Sequence, residues 1–102
     1  MSKSRLSLQT KLEEIVGARH VYFQPPASTK LEYPAIIYYR NKIHNRSADD
    51  GVYIQNDEYS ITVIDKNPDS EIVRQLSMLP LCTHERQFKA DNLNHDVFTL
   101  YY

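Results

Sequence analysis

The densest group of potential ligands in the sequence is Asp91, Asn92, Asn94, His95 and Asp96, within the stretch DNLNHD. Carboxylates and amides at alternate positions can hold Ca²⁺ through their oxygens. The EF-hand loop also needs a glycine at its sixth position and a distal glutamate, and this stretch has neither. The same residues make a tight turn when Asn and Asp side chains bond their own backbone, and a turn is the expectation here.

The histidines His20, His44, His84 and His95 are scattered, with no HxxxH, HExxH or CxxC pairing. A zinc site would have to be assembled across strands. Cys82 and His84, two positions apart, would share one strand face, and a further ligand would have to come from elsewhere. A lone cysteine more often packs as a small hydrophobe. Nucleophilic chemistry at Cys82 needs a histidine in reach and an exposed thiolate, and the neighbouring sequence signals neither. Gly17 and Gly51 are the only two glycines, and neither stands in a GxGxxG or GxxxxGK setting. Asp57, Glu58, Asp65 and Glu71 are the acids from which a metal-dependent nuclease site would be built, but acids on turns and exposed faces are ordinarily solvated. The expectation is a protein with no catalytic residues, no metal and no cofactor.

Composition points the same way. A chain of 102 residues carrying 12 basic and 13 acidic side chains is expected to form one domain, and its near-neutral balance does not suit a generic nucleic-acid binder. The single cysteine excludes an intramolecular disulfide and fits a reducing compartment. No apolar run approaches the ~20 residues of a bilayer span, and the opening MSKSRLSLQTKLEE lacks the apolar stretch of a signal peptide. Eight tyrosines accompany no tryptophan. Tyrosine suits half-buried sheet faces and subunit contacts, and equally the ordinary preference of aromatic residues for strands.

The elements that position these residues follow from periodicity. Leu8, Leu12, Ile15 and Val16 make the apolar stripe of a helix over about residues 4–17, with Gly17 as its stop. HVYFQ (20–24) reads as a short strand ended by Pro25 and Pro26. YPAIIYYRN (33–41) reads as a strand with apolar groups on both faces, which suggests cover on both sides. Residues 42–56 contain the Asp49-Asp50-Gly51 turn signal and read either as a long loop or as a protruding hairpin. DEYSITVID (57–65) is the clearest alternating strand. Asp69 or Ser70 caps a second helix with the stripe Ile72, Val73, Leu76 and Leu79, stopped by Pro80. CTHERQFKA (82–90) and the aromatic-rich VFTLYY (97–102) complete the set, with Phe98, Leu100 and Tyr102 on one face and Val97, Thr99 and Tyr101 on the other. So apolar a segment is expected to be held in a sheet or against a partner. The fold class is α+β: a single mixed or antiparallel sheet of about five strands with two helices on one face, in the order α-β-β-β-α-β-β. Two helices cannot cover both faces, so one face should be partly open.

Four stretches carry a resemblance: QPP (Gln24 to Pro26), YPAIIY (Tyr33 to Tyr38), YSITVIDKNPDSEI (Tyr59 to Ile72) and DNLNHDVFTLYY (Asp91 to Tyr102). Together they resemble small siphophage structural proteins of the head-to-tail joining region, namely tail terminators, also called tail completion or minor tail proteins. The resemblance implies an α/β protein with helices on one side of its sheet. It also implies a hexameric ring that docks on the last ring of tail-tube protein, stops polymerisation and presents a surface to the head-tail connector proteins. DNA would pass through without being read, and the protein would reside in the virion tail or neck after assembly in the bacterial cytoplasm. A head-completion or stopper role at the same interface is the alternative.

The resemblance carries no catalytic motif. The expected contact residues come from the chain itself: Tyr38, Tyr39, Ile43, His44, Arg46, Val52, Tyr53, Ile54, Tyr101 and Tyr102 at the subunit or tube interface. A cyclic ring needs two different patches on each subunit, because its contacts are heterologous. A DNA channel should not grip phosphates, since each Lys or Arg contact adds salt-dependent affinity. Arg40, Lys42, Arg46 and Arg74 form no run that would do so.

Overall fold

The computed structural model describes residues 4–17, 20–43, 46–47, 53–54 and 57–102. The first helix, α1 (Arg5–Val16), starts where the Ser4 side chain accepts from Ser7 N–H. It ends at Gly17, whose φ of 80° is the left-handed turn that glycine adopts without a Cβ penalty. Leu8 and Leu12 are its buried residues.

Strands β1 (Val21–Phe23) and β2 (Ala35–Lys42) follow. Between residues 42 and 58 the backbone of β3 (Arg46–Ser47) pairs antiparallel with that of β4 (Tyr53–Ile54) as a separate two-stranded sheet. This short pairing does not extend β2 and β5, and residues 44–45, 48–52 and 55–56 lie outside the described residues. Strand β5 (Glu58–Asp65) leads to α2 (Glu71–Ser77), capped by Ser70 rather than Asp69: Ser70 Oγ accepts from Ile72 N–H at 3.2 Å. The helix closes at Met78, before Pro80 is reached. The chain then runs through β6 (Cys82–Ala90) into β7 (Leu93–Tyr101).

The main sheet has the order β1-β2-β5-β7-β6. Only β1 and β2 run parallel; the other pairs are antiparallel, so the sheet is mixed. The β6–β7 hairpin turns on Asp91 and Asn92, both at positive φ (52° and 62°), the geometry that matches the twist of the flanking strands. The main sheet and two helices give the expected α-β-β-β-α-β-β order, with the small hairpin as an insertion.

One core lies between the sheet and both helices. Leu8, Leu12, Ile72 and Leu76 of the helices meet Ile36, Tyr38, Tyr59, Ile61, Val63, Phe98 and Leu100 of the strands, all buried. Alternation along each strand selects these residues. Cover on both sides of β2, as its paired apolar residues suggest, is only partial among the described residues. Ile36 and Tyr38 are buried under the helices, whereas Ile37 is half-buried and Tyr39 is 45% exposed on the other face. That second face is closed at one end, where Ala35 and Ile64 are buried, and open toward Tyr39 and Tyr101.

Candidate functional site

Register defines the uncovered face. Tyr22, Ile37, Thr62, Val97 and Arg86 form one row of direct neighbours across all five strands. Tyr39, Ser60, Thr99 and Thr83 form the next. Ile37, Thr62, Val97 and Thr99 are half-buried by their own neighbours, and Tyr39 (45%) and Tyr101 (38%) stand exposed beside them. Small β-branched residues flanked by tyrosines give a flat, weakly polar surface of the kind found at protein contacts. Phe88, 41% exposed, stacks on His95 at 4.7 Å toward the other end of the same face.

Tyr101 is held in place. Its hydroxyl donates to Glu58 Oε1 at 2.8 Å, and that bond to a carboxylate raises the phenol pKa above its ordinary value. Tyr102 faces the other way and is half-buried; its hydroxyl and Ser7 Oγ are 2.9 Å apart. It lines a shallow cleft with Ser7, Thr10, Lys11 and Glu14 of α1. Backbone bonds in both directions between Asp57 and Tyr102 (3.1 and 3.0 Å) continue the β5–β7 ladder to that point.

The remaining expected contact residues divide. Tyr38 is fully buried under α1, so of the adjacent tyrosines Tyr39 is the one open to a partner. Ile43 is 69% exposed where β2 leads into the small hairpin. Arg46, Tyr53 and Ile54 lie on the backbone of β3 and β4. His44 and Val52 lie outside the described residues.

The sites of conventional chemistry come apart. Asp91 and Asn92 form the hairpin turn, while Asn94 donates to the carbonyls of Asp65 and Lys66. His95 and Asp96 lie on opposite faces of β7. Asp96 is buried with His84 Nε2 at 3.0 Å from Oδ1, and Gln87 Nε2 donates to Oδ2. Burial pushes the Cys82 thiol up to about 11, so it is a neutral packing residue at physiological pH. Glu58 and Asp65 end the same strand, roughly 23 Å apart at the usual strand rise. Among the described residues no three His, Cys, Asp or Glu side chains converge as a metal site. Among the described residues no helix is long and apolar enough to cross a membrane.

One cluster was not anticipated. Arg5 and Arg40 both lie against the Phe23 ring, with Cζ at 4.5 and 5.9 Å from its centroid. Arg5 Nη1 donates to the Tyr38 hydroxyl and Arg40 Nη2 to that of Tyr59. Tyr38 in turn donates to Gln9 Oε1. Burial raises the Tyr38 pKa, and the Tyr59 hydrogen bond raises that of Arg40. The signal was present in β2: the alternation that turns Ile36 and Tyr38 inward turns Arg40 inward as well.

No protein-family model matches the chain, and none of the curated proteins matches it.

Proposed function

We propose that this chain is a structural subunit of the siphophage head-tail interface, a tail terminator that assembles into a ring of six copies like the proteins it resembles. In that role it caps the tail tube, stops its growth and joins it to the head connector, while DNA passes through unread. The observation that carries the reading is the uncovered sheet face opposite both helices, with Tyr39 and Tyr101 exposed on it. A neighbouring subunit supplies the cover that two helices on one side cannot. Each contact in the ring buries about 1,200 Å² or more. The β3–β4 hairpin, a sheet separate from the main one, is the element that reaches toward the next ring. The near-neutral charge suits a channel that must let DNA slide.

The test has two arms. Mass photometry of the purified chain with tail-tube protein should show a closed ring; a persistent monomer in that mixture overturns the reading. Deleting the gene should leave overlong tails. Leaking heads with tails of normal length would transfer the chain to a head-completion role.

A further inference from the structure

The Arg5–Phe23–Arg40 cluster is short of negative charge. Among the described residues one carboxylate, Asp57, stands within ion-pair distance of the two guanidiniums, 3.3 Å from Arg40 Nε. Even there the geometry falls outside a hydrogen bond: Arg40 Nε is shielded from solvent and has no hydrogen-bond partner. Among the described residues Arg5 bonds a phenol, the Tyr38 hydroxyl, and lies over the Phe23 ring. Its position as the first residue of α1 adds the positive end of the helix to the same place. Two half-exposed guanidiniums are thus held rigidly on an aromatic wall with most of their donors unspent.

We propose that Arg5 and Arg40 form a receptor for a single carboxylate presented by a partner protein. A guanidinium fork matches a carboxylate in two parallel bonds, and the aromatic wall lowers the competition from water. The surroundings select one acid side chain over a run of phosphates. Gln9, bonded to the Tyr38 hydroxyl, also bonds Glu13, and Asp57 stands beside Arg40. An extended polyanion would lie against these acids, whereas an isolated carboxylate would not. The site is on the helix-bearing side of the sheet, away from the Tyr39–Tyr101 face. It therefore stands whether or not the chain forms a ring.

The test is a titration of the full-length ¹⁵N-labelled chain, read at the arginine Nε–Hε resonances, with a short end-capped peptide carrying a single glutamate among neutral residues, inorganic phosphate and oligothymidylate in parallel. The peptide should move the Arg5 and Arg40 signals saturably. Arg5→Gln, at the exposed start of α1, should weaken that binding about tenfold. Arg5→Lys should weaken it too, because an ammonium lacks the planar fork. The proposal is overturned if the signals do not move, if both variants bind the peptide as the native chain does, or if phosphate or oligothymidylate saturates the site at lower concentration than the peptide.

Discussion

Glu58 and Tyr101 are direct cross-strand partners of β5 and β7, and the Tyr101 hydroxyl donates to the Glu58 carboxylate at 2.8 Å. The bond holds an exposed aromatic ring in one orientation before any partner arrives. Ordering a side chain in advance removes part of the entropy cost of association. Tyr101→Phe should leave the unfolding midpoint nearly unchanged, because an exposed bond is screened by water and adds little to stability. It should weaken self-association measurably in sedimentation experiments.

Tyr39→Glu separates folding from assembly. Tyr39 is on the open face and takes no part in the core, so urea unfolding should shift by no more than about 0.5 kcal/mol. A charge at the centre of a contact is costly to desolvate, so ring formation should be lost. Retained rings in mass photometry would move the contact elsewhere on the surface.

Phe98→Ala tests the core. Phe98 is fully buried on β7, between β5 and β6, and meets His84 edge-on at 5.0 Å. A cavity of that size costs about 3–5 kcal/mol, a large part of the stability of a domain of this length. Removing Phe98 to Tyr102 altogether should abolish folding, seen as loss of the cooperative urea transition.

Cys82 gives a pH dependence with a definite sign. Burial raises its thiol pKa to about 11, from an ordinary 9.0. The folded state favours the neutral thiol, so this contribution is complete below pH 9.0, the ordinary value taken for the unfolded chain. It is lost as pH rises toward 11, where the folded form also ionises. Iodoacetamide at pH 8 should therefore label the native chain far more slowly than the urea-unfolded chain, and Cys82→Ala should flatten the alkaline fall in stability.

Shortening residues 43–54 should leave the fold intact, because β3 and β4 pair with each other and not with the main sheet. The urea midpoint should hold within about 1 kcal/mol, in keeping with the weak dependence of stability on loop length. Docking on the tail tube should fail. An unfolded product would make the segment part of the core.

Local chemistry made much of the fold legible. Leu8 and Leu12 announce α1, Gly17 its end, and the alternation in YSITVID its buried face. What remained hidden depended on residues far apart in the chain. Ile36-Ile37 and Tyr38-Tyr39 offer the same apolar character to both sides of β2, and only the placement of α1 decides which of each pair is covered. The parallel pairing of β1 with β2 is likewise a long-range choice with no local signature. In the sequence Arg40 stands out only as one of the basic residues that form no run. Its inward position follows from parity, but its aromatic neighbours come from β1, β5 and α1 together.

The outer strand β6 has a consequence of its own. All its residues from Thr83 to Lys89 are exposed, its register slips between His84 and Arg86, and Glu85, Arg86 and Lys89 crowd its length. A kinked, charged border of this kind is a poor template for another chain's backbone. Copies of the chain that meet along this edge find no regular ladder to extend, so a lasting contact there has to be made by side chains rather than by backbone.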